Sequence, residues 1–106
     1  MPTVGEHVVA REQATSGQQG ERLMARGRRV ELRLWERDPA GEAATPPDAE
    51  HDHVAYVQEG ALIVSIAGGP PVELHAGDSY VVPAGERCRF EVLEPAKVVE
   101  AIGPAL

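Results

Sequence analysis

Two histidines and one cysteine carry most of the chemistry that this sequence offers. His51 and His53 are two residues apart. In a β-strand, side chains at i and i+2 share a face and lie roughly 6.5–7 Å apart along it. Cys88 is the only cysteine, so it cannot form a disulfide within the chain. Imidazole and thiolate groups favour Zn, Fe, Ni or Cu over Mg or Ca, so the three residues are candidate ligands of one divalent transition metal.

Short strands separated by turns must position these side chains. The 106 residues include 11 glycines and 9 prolines, and such frequent turn residues are typical of all-β domains. No segment has the pattern of a convincing helix. The sequence therefore predicts an all-β sandwich or barrel, and the pattern alone leaves open a jelly roll, an immunoglobulin-like sandwich or another small barrel. The clearest predicted strands are 28–36, 51–58, 61–67, 72–74, 79–82, 88–93 and 97–102.

Two features of these strands concern the candidate site. Cys88 and Phe90 alternate with charged residues, so they share one face of their strand. The apolar runs 51–58 and 61–67 are separated by the turn residues 59–60, and this spacing predicts a hairpin.

Charge and composition exclude several classes of function. The net charge of −7 argues against a general affinity for nucleic acid or for anionic membranes. No segment resembles a secretory signal or a membrane span, which predicts a cytoplasmic protein. Residues 1–21 are mostly polar and are predicted to be a flexible N-terminal segment with at most one edge strand. Residues 22–106 are predicted to form a single domain.

Two stretches resemble a known family. The sequence YVQEG at 56–60 resembles the end of the first cupin motif, and GDSYVVPAGERCRFEV at 77–92 resembles the second. The resemblance covers about residues 28–102 and implies a cupin jelly-roll β-barrel. Gly60 and Gly85 are expected at turns that often need a positive φ.

The metal ligands that the resemblance implies are only partly present. The usual ligand positions of cupins correspond here to Pro47, Ala49, His53 and Cys88. The resemblance also implies that His51 and His53 point into the barrel, where they would form a three-ligand site with Cys88. The alternative is a barrel without metal, in which Cys88 is a small buried hydrophobe and His51 lies in water at the barrel mouth.

Two functions follow from this resemblance. In the first, the barrel binds a small polar metabolite in a pocket formed by His51, His53, Cys88 and Phe90. In the alternative, the protein is a metal-dependent cupin enzyme of the isomerase, lyase or dioxygenase type. We also expect a homodimer, because an outward-facing Trp35 together with Tyr56 and Ile63 would form an apolar surface. The expected partners are therefore a small molecule and a second copy of the chain, and neither nucleic acid nor a membrane is among them.

Overall fold

A computed structural model describes residues 8–104, and strands make up most of them. One short 3₁₀ helix, Arg11–Gln13, precedes the first strand, and no helix in the described range is long and apolar enough to cross a membrane. The all-β prediction is confirmed. The first seven residues of the predicted N-terminal segment lie outside the described residues. The eight strands are β1 (Thr15–Ser16), β2 (Arg22–Arg26), β3 (Glu31–Arg37), β4 (Glu42–Thr45), β5 (His51–Ile66), β6 (Val72–His75), β7 (Ser79–Val82) and β8 (Cys88–Pro104).

Two long strands, β5 and β8, organise the sheet. They pair antiparallel over most of their length, from His51 opposite Pro104 to Ile66 opposite Cys88. The other edge of β8 pairs with β3 and β4, and the other edge of β5 pairs with β7 and β6. Each long strand therefore contributes to both ends of the barrel, and side chains from all these strands can converge inside it.

The hairpin predicted at 59–60 is wrong, because β5 continues through this point. The register between β5 and β8 shifts between Val57 and Leu62, where extra residues bulge out of β5. Gly60 has φ +85°, and a Cβ there would contact the carbonyl oxygen of Pro95 and lie 2.8 Å from the Cα of Ala96. The bulge reverses the alternation of faces, so Val57 and Leu62 are both buried.

Other strand boundaries also differ from the predictions. The predicted strands 88–93 and 97–102 are parts of the single strand β8. The predicted loops at 12–20 and 38–47 contain β1 and β4. These two strands are short and largely exposed, and they pair through their backbones with β2 and β8, so their side chains carry little of the alternating pattern that indicates a strand.

The core consists of aliphatic side chains from the facing strands. Val57 is fully buried. Trp35, Ile66, Tyr80 and Phe90 pack against this core while remaining partly exposed. The buried cluster contains Ala55, Val57, Leu62, Val64, Leu74 and Val98.

Trp35 faces the interior, so its predicted place on the outer surface is wrong. It pairs with Val98, which is buried, and directly paired residues share a face of the sheet. Tyr56 does face outward, with 49% of its surface exposed, and Ile63 is half-buried. Leu32 and Val54 are also exposed on the outer side.

Candidate functional site

A cavity of about 670 Å³ opens among β3, β5, β7 and β8. Its walls include the apolar side chains of Leu62, Phe90 and Val92. The loop before β5 and part of the segment between β1 and β2 border it as well. This volume lies within the range of about 300–1,000 Å³ that is typical of small-molecule sites.

The structure brings three of the four predicted pocket residues to this cavity. His53, Cys88 and Phe90 line it, and His51 does not. The ring of His51 contacts Asp48, with 2.9 Å between Nδ1 and Oδ2, and its side chain is 40% exposed. The inward orientation that the cupin resemblance implies is therefore found for His53, whereas His51 pairs with Asp48 in the adjoining loop and does not line the cavity.

A buried carboxylate organises the polar part of the cavity. Glu100 is only 9% exposed. Its Oε1 accepts a hydrogen bond of 3.1 Å from the indole nitrogen of Trp35, and its Oε2 lies 3.4 Å from Nδ1 of His53. Because Glu100 pairs with Arg33 on β3 and with Ala55 on β5, the sheet fixes the carboxylate between the indole and the imidazole.

Asp48 occupies the other side of the imidazole. Its Oδ2 lies 3.1 Å from Nε2 of His53, and its Oδ1 accepts a hydrogen bond from the backbone amide of Glu50. Partial burial acts to raise the pKa of Asp48, but contacts with His51, His53 and this amide outweigh it and lower the pKa to about 2. Asp48 is therefore ionised at neutral pH and links the loop to the ring of His53.

The two carboxylates favour the protonated form of His53. The contact with Glu100 raises the pKa of His53, burial opposes the rise, and Asp48 adds to it. A histidine that a carboxylate orients in this way can hold a proton and offer it to a bound molecule. Both ring nitrogens of His53 contact these carboxylates, so its proton is held between Asp48 and Glu100.

Tyr80 and Cys88 are kept in their neutral forms. Burial raises the pKa of Tyr80, and the neighbouring Cys88 and Glu100 raise it further. Burial, with a smaller effect of Glu100, raises the pKa of Cys88 to about 11. Cys88 is therefore a thiol at neutral pH rather than the thiolate that nucleophilic attack requires. Tyr80 contributes a phenol hydroxyl to the cavity lining.

As arranged here, the predicted ligands do not fit one shared transition metal. His51 lies outside the cavity lining, and both ring nitrogens of His53 contact carboxylates. Among residues 8–104, no three His, Cys, Asp or Glu side chains are grouped so that they could hold a metal ion. The metal site stays a prediction.

Sequence interpretation missed the carboxylate that organises the site. Glu100 shares a face of β8 with the buried residues Val98 and Ile102. A single charged residue on an otherwise apolar strand face is a signal for a buried functional group, so the alternation of β8 could have revealed Glu100. Nothing in the sequence pairs it with His53, 47 residues earlier.

An antiparallel barrel with a polar cluster inside its cavity has the architecture of a cupin. Residues 24–98 match the model of the EutQ-like cupin domain. Since the match spans more than half of the chain, this chain belongs to the EutQ-like cupin domain family. The jelly-roll prediction is thereby confirmed. No curated protein matches the chain.

Solved structures agree with this fold. The chain is similar to an RmlC-like cupin from Shewanella frigidimarina NCIMB 400, with a TM-score of 0.78, 23% identity and coverage of 95% of this chain and 93% of that one. It is also similar to KdgF from Halomonas sp., with a TM-score of 0.71, 23% identity and coverage of 81% and 80%. At these identities the likeness establishes the fold alone.

Proposed function

We propose that this protein binds a small polar molecule in the cavity between β3, β5 and β8. The observation that carries the proposal is the placement of the Glu100–His53 pair inside a cavity of about 670 Å³. A cavity with apolar walls and a few converging polar groups is the usual form of a small-molecule site.

The division of the cavity into two kinds of lining supports this function. Leu62, Phe90 and Val92 offer a surface for the carbon skeleton of a ligand. Tyr80 and the two carboxylates that hold His53, Asp48 and Glu100, offer polar groups that can orient it. In this arrangement the apolar contacts supply affinity, and the polar groups select the ligand and its direction.

Trp35 gives a direct readout of binding. It is the only tryptophan of the chain and it lines the cavity. We would titrate a panel of small polar metabolites and follow the intrinsic fluorescence of Trp35 together with the melting temperature. A bound ligand should change the emission of the indole and raise the melting temperature by mass action.

Two matched variants show whether a ligand enters the cavity. Val82→Phe adds a ring at a residue that lines the cavity, whereas Val72→Phe makes the same change at a residue that is 49% exposed and lies away from the cavity. We expect Val82→Phe to weaken binding at least about tenfold and Val72→Phe to leave it unchanged. Equal binding by both variants, or no response to any metabolite of the panel, would overturn the proposed function.

The alternative of a metal-dependent cupin enzyme is tested on the untagged protein by elemental analysis. Zn, Fe, Ni or Cu near one ion per chain, lost in His53→Ala, would favour that alternative. The readout is the metal content itself, so it does not depend on knowing a substrate.

We also propose that the protein forms a homodimer through its outer sheet face. Leu32, Val54, Tyr56 and Val81 are between 38% and 52% exposed. Leu32 and Val54 both pair with Ala101, and Val54 pairs with Val81, so three of the four form one row across adjacent strands. A two-fold axis would place this apolar row against itself.

Light scattering after size-exclusion chromatography tests the dimer. Val54→Lys introduces a charge into the centre of the row, and Leu93→Lys introduces the same charge at an exposed position outside it. We expect the wild type and Leu93→Lys to elute as dimers and Val54→Lys as a monomer. A monomeric wild type refutes the dimer.

A further inference from the structure

The charges around the cavity are strongly unbalanced. Among residues 8–104, only two arginines line it, Arg33 and Arg37, and His53 is the only histidine in the lining. With His53 neutral, the lining therefore carries a net charge of −3, and protonation of His53 still leaves −2. The carboxylates that line the cavity are Glu21, Asp48, Glu50, Glu86 and Glu100.

Both guanidinium groups already have partners within the protein. Arg33 donates to Glu31 at 2.6 Å and lies 3.9 Å from Glu21. Arg37 donates to the carbonyl oxygen of Gln19 at 2.8 Å and stacks over the ring of Trp35. The Nε of Arg33 is buried without a hydrogen-bond partner, but an anionic ligand that approached it would also meet Glu21 and Glu31, which already pair with this guanidinium group.

Negative charge is concentrated where a ligand would enter. Glu50 and Glu86 are exposed, and they lie on the loop before β5 and the turn before β8. A hydrogen bond of 2.7 Å from the amide of Gly85 to the carbonyl oxygen of Asp48 ties this loop and turn together. Like charges along a cleft raise the local concentration of oppositely charged solutes.

The interior can receive a cation as well. Each oxygen of Glu100 contacts one neighbour, Trp35 or His53, whereas a carboxylate can accept about four hydrogen bonds. The walls beside it are hydrocarbon, including Leu62 and Phe90. An ammonium group attached to a short apolar frame would therefore find both acceptors and a complementary surface.

From this charge arrangement we propose that the cavity selects small organic amines in their cationic form and rejects carboxylates and phosphates. The inference rests on the proposed function, since it names the class of molecule that the same cavity binds. The acidic mouth attracts the cation, and the buried carboxylate accepts its ammonium protons.

The test compares three probes that share one frame and differ in charge. Cyclohexylmethylamine is cationic, cyclohexylmethanol is neutral, and cyclohexanecarboxylate is anionic. Each is titrated against the full chain in the presence of a chelator, with Trp35 fluorescence as the signal. We expect the amine to bind at least about tenfold more tightly than the alcohol, the carboxylate to bind most weakly, and the affinity of the amine alone to fall as salt is added.

Charge variants connect the preference to the cavity mouth. The double variant Glu50→Gln/Glu86→Gln should weaken amine binding about threefold to tenfold and leave alcohol binding unchanged. The control Glu12→Gln/Glu94→Gln removes the same charge from exposed residues that do not line the cavity, and it should bind the amine like the wild type.

The possible failures are distinguishable. If the alcohol binds as tightly as the amine, the cavity binds small molecules but the charge inference is overturned. Tightest binding of the carboxylate, or no binding of any of the three probes, also overturns it, while the metabolite panel and Val82→Phe still decide the proposed function. If the amine responds only after divalent metal replaces the chelator, the acidic residues bind the metal and the inference is overturned.

Discussion

Replacing Gly60 with alanine should destabilise the barrel much more than replacing other glycines with positive φ. Gly60 has φ +85°, and an added Cβ would meet the backbone of Pro95 and Ala96. A positive φ alone costs an alanine about 1–2 kcal/mol, and forcing packed backbone apart costs about 1–3 kcal/mol more. We therefore expect the free energy of unfolding to fall by about 2–5 kcal/mol.

Gly68 provides the matched control. Its φ of +73° is similar, but an added Cβ would have no atom within 4 Å. Gly68→Ala should therefore show only the conformational cost of about 1–2 kcal/mol. The difference between the two variants isolates the close approach of β5 and β8.

Urea denaturation followed by Trp35 fluorescence and by circular dichroism measures both variants at one protein concentration, so that any dimerisation affects them equally. Equal destabilisation by Gly60→Ala and Gly68→Ala would refute the reasoning. It would mean that Gly60 does not approach the backbone of Pro95, and that the bulge that reverses the faces of β5 lies at another residue.

Three further predictions concern the site and the core. The contact with Glu100 raises the pKa of His53 in the folded protein. Its contribution to the free energy of unfolding is therefore complete below the unfolded-state pKa of about 6.5, and it is lost as the pH rises through the higher folded-state pKa. His53→Gln should therefore cost more stability at about pH 6 than at about pH 9, and a constant cost in thermal melts would contradict this. Burial raises the pKa of Cys88 to about 11. Iodoacetamide at about pH 8 should therefore alkylate Cys88 far more slowly in the folded chain than in the urea-unfolded chain. Equal alkylation rates, measured by mass spectrometry, would contradict the burial of Cys88. Val57→Ala, at a fully buried position, should lower the free energy of unfolding by about 2 kcal/mol, whereas Val72→Ala, at a residue 49% exposed, should change it by less than about 0.5 kcal/mol in urea titrations.

Much of the local structure could be predicted from the residues themselves. The alternation around Cys88 and Phe90 correctly predicted that both face the interior. Gly60 and Gly85 both have the positive φ that was expected of them, although Gly60 lies at a bulge within β5 rather than in a turn. These features are local, because a strand's alternation and a glycine's backbone freedom depend on neighbouring residues only.

The candidate site itself depends on contacts between distant segments. Alternation shows that Trp35 lies on the opposite face from Leu34, but only the pairing of β3 with β8 decides which face is inside. The bulge at Gly60 likewise reverses which residues of β5 point inward. Short-range patterns contain no information about either choice.

The sequence by itself determined an all-β domain and an interior place for Cys88 and Phe90, and its resemblance to cupins implied an interior place for His53. Only the tertiary structure decided that His51 pairs with Asp48 and does not line the cavity, that Trp35 lies inside, and that Glu100 contacts His53. The physical reason is that the alternation within one strand decides which residues share a face. The contacts of each side chain depend instead on the register between strands that lie far apart in the chain.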